Sequence, residues 1–355
     1  MTKMHWIPLA ASLIAAAACS SSGGHDTTSS STTGSGGSGG SSTATGTGGA
    51  ATSSGSGGSG GAAPTKTVFV VGGQDLRRVI STDGQTWTND VYVAPNGLDN
   101  SFWCISSGKG IIVAGGNDGV WTSPDGIAWN KATSPTAQEH MHACVSVYDG
   151  DRFVIVTGGA TYRSTDGITW ERSQDDATAS GHWQGMAFGN GHYVAVGDGH
   201  RKVSEDAVTW HDFATDADAL HGIVFAQGKF VAVGDKGRHA VSADGVTWTD
   251  DVSEGDALGD MQSLAYGNGT FVAMNCCQAI TSTDGITWQT QGGGVNGRVV
   301  FADGIFVAAG WRTHIGYSTD GKSFQGVFDS DGPNQFDSSQ QAPWFTTLGV
   351  GKVVP

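Results

Sequence analysis

The chain has 355 residues and a formal net charge of −15, with 57 glycines and only 14% charged residues. The deficit of Lys and Arg argues against nucleic acid as a partner, because binding a phosphate backbone draws on a basic surplus. Abundant glycine with few charges speaks against a helical protein and for a turn-rich β protein, and five cysteines are too few for a disulfide scaffold.

The N-terminus, MTKMHWIPLAASLIAAAACSSS, has an early Lys and then an apolar run from Trp6 to Ala18 that meets Cys19. So short and Ala-rich a run predicts a secretory signal over residues 1–18 rather than a spanning helix. The small residues ending at the Cys, AAAAC, resemble the lipobox of bacterial lipoproteins. The resemblance implies that Cys19 is lipidated and becomes the first mature residue. It further implies an exported chain, anchored to a membrane of the bacterial envelope, with Ser20 after the Cys pointing to the outer membrane.

Residues 19–66 comprise that Cys and a stretch that is almost all Ser, Gly, Thr and Ala. Such a stretch buries too little apolar surface to order itself and is expected to be a disordered tether. Its root-mean-square reach is roughly 35–40 Å.

From Thr67 to the end, one motif recurs seven times: STDGQTW at 81, SPDGIAW at 123, STDGITW at 164, SEDAVTW at 204, SADGVTW at 242, STDGITW at 282 and STDGKSF at 318. The intervals run from 36 to 42 residues. A fixed period near 40 built from strand-like units means a propeller or a solenoid. Within each motif, Asp-Gly between alternating residues is a strong hairpin signal, because Gly accepts a positive φ and the carboxylate accepts N–H bonds inside the turn. The Trp that follows can plug the space between neighbouring hairpins. Upstream lies a second hairpin, as in GIVFAQGKFVAVG at 222–234. Each unit therefore reads as four strands, A to D, with the motif at the C–D turn. Two copies depart from the pattern, Ala207 for Gly and Phe324 for Trp, and both turns are expected to be weaker.

These units resemble the BNR or Asp-box repeat of sialidases and other secreted β-propellers, whose pattern is Ser-x-Asp-x-Gly-x-Thr-Trp; here the spacing from Asp to Gly is one residue shorter. The resemblance implies an all-β fold over 67–355, a seven-bladed β-propeller of four-stranded antiparallel blades. The first unit starts directly at strand B with TKTVFVVGG, and the C-terminal WFTTLGVGKVV reads as an orphan strand A. The C-terminal strand should therefore complete blade one and remove two sheet edges.

In such a propeller the D–A connections and B–C turns share one face and the motif turns the other. The segments entering strand A are SFWC (101–104), EHMHAC (139–144), GHWQG (181–185), ALHG (219–222), DMQS (260–263), VNGR (295–298) and QQAPW (340–344). They bring Trp103, His140, His142, His182, Trp183, Gln184, His221, Gln262, Asn296, Arg298 and Trp344 towards a channel mouth. The B–C turns add Trp311 and Arg312, with Arg77, Arg78, His200, Arg201, Arg238 and His314. Aromatics, amides, His and Arg suit a glycan or protein ligand, the ring stacking on an apolar face and Arg meeting a carboxylate. A zinc site from His140 and His142 with His182 or His221 lacks a fixed ligand spacing, so no metal or cofactor is expected. Cys104 and Cys144 fall at equivalent strand-A positions, where a bridge and buried thiols fit equally well. The vicinal Cys276–Cys277 pair reads as a disulfide or as two free thiols.

The sialidase resemblance also implies a hydrolase acting on an anionic sugar. That activity pairs arginines with a Tyr–Glu nucleophile couple. The glutamates are Glu139, Glu171, Glu205 and Glu254, of which only Glu139 falls near the ligand face, and no Arg-Ile-Pro precedes the first motif. The leading expectation is a monomeric, non-catalytic binding module; the alternatives are the hydrolase and an envelope assembly scaffold.

Overall fold

The computed structural model describes residues 65–91, 101–133, 141, 144–174, 182–214, 218–295, 297–310, 314–329 and 345–354. The signal and tether expectations, including Cys19, lie outside these residues. Within them the chain forms seven four-stranded antiparallel sheets, as the seven motifs require. Strand A is Phe345–Val353 in blade one, then Phe102–Gly108, Val145–Tyr148, Trp183–Gly189, Leu220–Ala226, Ser263–Gly267 and Arg298–Ala302 in blades two to seven. Each strand A touches the strand A of the next blade, and the contacts run round the full ring from blade one back to itself.

The ring closes as expected. The C-terminal strand Phe345–Val353 pairs antiparallel with Lys66–Gly73, the first strand of the domain, in register from Lys66↔Val353 to Gly72↔Thr347. Both chain ends of the domain are thus held in one sheet, and Lys66–Gly73 is not left as a free edge.

The core is a set of seams. Each junction between adjacent blades has its own buried cluster, and each contains one motif aromatic: Trp87, Trp129, Trp170, Trp210, Trp248, Trp288 or Phe324. Trp170 is 3% exposed; removing such a buried indole typically costs about 3–5 kcal/mol.

The motif turn repeats atom by atom. In blade six the Ser282 hydroxyl accepts the Gly285 N–H at 2.8 Å and donates to Asp284 at 2.9 Å, while one Asp284 oxygen accepts the N–H groups of Ile286 and Thr287, both at 2.8 Å. The Gly has a positive φ and little room: a Cβ on Gly285 would lie 2.7 Å from Val231 of the preceding blade. Ala207 keeps the turn at φ 58° with its methyl buried, and its hydrogen bonds match the others. The indole bond does not track this substitution: the Trp210 N–H has no partner among the described residues, but neither does that of Trp288 in blade six, whose turn keeps its Gly, whereas Trp87, Trp129, Trp170 and Trp248 each donate to the motif Gly carbonyl. Blade seven is looser, with Ser323 N–H reaching Asp320 only at 3.4 Å.

A second ring of contacts, not anticipated from the sequence, locks this face. A–B turn residues reach forward to the carbonyl of the second motif residue in the next blade: Lys109 to Thr165, Asn190 to Ala243, Gln227 to Thr283 and Asn268 to Thr319. Four of these junctions are stapled end to end, side chain to backbone.

Candidate functional site

At the opposite face the blades repeat a different device. Strand A begins with a buried apolar anchor, and the next residue turns into the channel. The anchors are Phe345, Phe102, Met141, Trp183, Leu220 and Met261, none more than 5% exposed. In blades one, two, four and five the following residue sits in a β-bulge, because pairing skips it: Phe102↔Gly116 is followed by Cys104↔Gly115, Trp183↔Gly197 by Gly185↔Val196, and Leu220↔Gly234 by Gly222↔Val233, with the same shift at the blade-one clasp. A bulge re-aims one side chain without disturbing the rest of the strand. The re-aimed residues are Thr346, Trp103, Gln184 and His221; Gln262 follows its anchor Met261 in the same way.

These residues converge on one open cavity of about 430 Å³, lined by Trp103, Gln184, His221, Gln262, Arg298 and Thr346, with Asp235 and Asp260 at its rim. Arg298 comes from blade seven and reaches across the channel to donate from Nη1 to the Gln184 carbonyl of blade four at 3.1 Å. It also lines the narrower space below, with the Cys104 and Cys144 segments. Its guanidinium therefore forms the floor of the mouth.

The electrostatics of the mouth are uneven. His221 Nε2 lies 2.6 Å from Asp235 Oδ1, and Asp260 accepts the Lys236 backbone N–H at 2.9 Å. The Trp103 indole donates to Asn117, which fixes the ring. Arg298 differs: among the described residues no carboxylate pairs with it, and burial pushes its guanidinium below the ordinary value. An Arg held that way, facing an open cavity, is set to meet an anionic or carbonyl oxygen from outside.

Other predicted residues sit elsewhere. Trp183 does not face the channel; as an anchor it is buried in the seam between blades three and four. There the Lys202 ammonium lies over its ring at 4.8 Å and over Trp210 at 4.5 Å. The physical reason is the bulge, which sends Gln184 rather than Trp183 inwards. His182 is exposed, its carbonyl accepting the Asp198 N–H, and it does not line the cavity. Arg77 and Arg238 are braces: each is 2% exposed and bidentate to an Asp, Asp90 and Asp251 respectively. Arg201 shares Asp251 at 3.0 Å. His140, His142, Asn296, Trp311, Arg312 and Trp344 lie outside the described residues. Of the open cysteine readings, Cys104 and Cys144 form a disulfide with Cα atoms 5.6 Å apart, and Cys276 and Cys277 are free.

Solved structures share this fold. The chain is similar to a structure titled YCF48 bound to D1 peptide, at 19% identity and TM-score 0.52, over 69% of this chain and 90% of that one. It is also similar to YCF48 from Cyanidioschyzon merolae, at 15% identity and TM-score 0.51, over 74% and 97%. A catalytically inactive virginiamycin B lyase from Staphylococcus aureus, with quinupristin, matches at 11% identity and TM-score 0.55, over 69% and 88%. At these identities the likeness is one of fold. No protein-family model matches the chain, and no curated protein does.

Proposed function

We propose that this chain is an exported envelope lipoprotein whose propeller binds, without catalysing a reaction, a protein segment at the channel mouth. Arg298 carries this reading. It is a half-buried guanidinium on the floor of an open cavity, with one carbonyl partner and no acid beside it among the described residues. An acidic side chain or chain end entering the mouth supplies that partner. The Trp103 ring gives it an apolar wall, and the Gln184 and Gln262 side chains give amide contacts. A propeller of similar fold has been solved with a peptide bound, which supports a polypeptide ligand over a sugar. The lipid anchor on Cys19 and the Ser/Gly tether hold the mouth away from the membrane in this reading.

The test is a binding titration of the purified chain with acidic peptides, and with uronic and sialic acids in parallel. Peptide binding that weakens at least tenfold, about 1.4 kcal/mol, in Arg298→Ala supports the proposal. Binding of sugars alone moves the ligand class to glycan, and turnover of any of them refutes the non-catalytic reading. Equal binding by Arg298→Ala removes the site. Fatty-acid labelling that persists in Cys19→Ala would refute the anchor.

A further inference from the structure

Cys276 and Cys277 are the exposed free thiols among the described residues. They occupy the tip of the B–C turn of blade six, on the face that carries the channel mouth. The equivalent tips are Asn117–Asp118 in blade two, Gly158–Gly159 in blade three and Asp198–Gly199 in blade four, so the turn itself does not call for sulfur. Its shape is set instead by Asn275. That buried side chain donates to the Leu258 carbonyl at 3.1 Å and accepts the N–H groups of Cys277 and Gln278 at 2.9 and 2.8 Å. The Cys277 carbonyl in turn accepts the Gly294 N–H at 3.0 Å. The two thiols are therefore presented on a fixed frame, adjacent in the chain and both exposed. A hydrogen bond to the Cys276 sulfur, with burial second, pushes the Cys277 thiol above its usual value.

We propose that Cys276–Cys277 is a reversible dithiol–disulfide site that exchanges with small-molecule disulfides. Cys276 is the entering thiol in this scheme: the frame holds Cys277 through both its N–H and its carbonyl, and the raised Cys277 thiol is the poorer first thiolate. The Cys276 thiolate attacks one sulfur of R–S–S–R; a Cys276–S–R bond forms, and the first R–S⁻ leaves with the proton that Cys276 gave up. The Cys277 thiolate then attacks the Cys276 sulfur, and the second R–S⁻ leaves with the other proton. Two protein thiols are oxidised to one disulfide, and one small disulfide is reduced to two thiols. The second step is intramolecular, so it outruns attack by free thiol at ordinary concentrations. The Cys104–Cys144 bridge is an internal control: both residues are at most 5% exposed and out of reach of a dissolved thiol.

The test is mass spectrometry of the intact chain after incubation with oxidised glutathione. The expected product lacks two hydrogens, maps to the peptide holding residues 276–277, and reverts with a small dithiol. In Cys277→Ser the second step is blocked, so the mixed disulfide on Cys276 should accumulate at least tenfold over the wild type. Wild-type chain that stops at the mixed adduct as fully as Cys277→Ser would overturn the proposal, as would two thiols that stay free.

Discussion

The two ends of this propeller are built by opposite rules. At the motif-turn end the same Ser, Asp and Gly contacts recur in blade after blade. At the channel mouth only the device recurs, a buried anchor followed by a residue that lines the cavity, while that residue varies: Thr346, Trp103, His221 and two glutamines, Gln184 and Gln262. Repetition marks what every blade needs in order to stand beside its neighbour. Variation on a fixed frame is what the proposed binding role asks of the mouth.

The largest effect is expected where the ring is closed. Removing the residues after Ser339 deletes strand A of blade one and exposes the unpaired edge of Lys66–Gly73. Cooperative thermal unfolding followed by circular dichroism should disappear. A truncated chain that still melts in one sharp transition would show that the clasp is dispensable.

A smaller effect sharpens the structural reading of the turn end. The carboxyls of Asp83, Asp206 and Asp284 are held at about 2, below the ordinary 3.8, first by the backbone N–H of the Thr three residues on, against an opposing desolvation. Each therefore contributes stability that is present above about pH 4. That contribution is lost as the pH falls from there through about 2, because the unfolded chain takes up its protons first. Melting temperature against pH should fall through that window. Asp284→Asn should lower stability at pH 7 by about 1 kcal/mol and make the acid slope shallower. An unchanged slope would mean that the turns do not carry the acid sensitivity.

The sequence made these two ends unequally legible. The turn end was readable because Asp-Gly, Ser and Trp each have a local reason to be where they are, and the reasons repeat with the period of the blade. The A–B staples were not, because Lys109, Asn190, Gln227 and Asn268 act through a neighbouring blade, and an amide or ammonium in a turn carries no local sign of that distant carbonyl. Of the residues the sequence brings to the mouth, Trp103, Gln184, His221, Gln262 and Arg298 line the cavity, while Trp183 is buried in a seam. A pattern existed that separates them. Set in one column, Phe102-Trp103, Trp183-Gln184, Leu220-His221, Met261-Gln262 and Phe345-Thr346 each place a large apolar residue before the one that lines the channel mouth. Trp183 belongs to the first column, and its chemistry alone, an indole suited to sugars and seams alike, could not say so. That Arg298 has no carboxylate partner among the described residues was out of reach for another reason: it depends on how the blades face one another across the channel, and the cavity acids, Asp235 and Asp260, come from other blades and are held elsewhere.

In the proposed function the ligand occupies the mouth and leaves the turn end untouched. Hydrogen exchange of the purified chain, with and without a saturating acidic peptide, distinguishes the two ends. Slowed exchange is expected at the strand-A entries around Trp103, Gln184, His221 and Arg298, with no change at the motif turns. Protection confined to the motif turns, with the mouth amides unaltered, would contradict it.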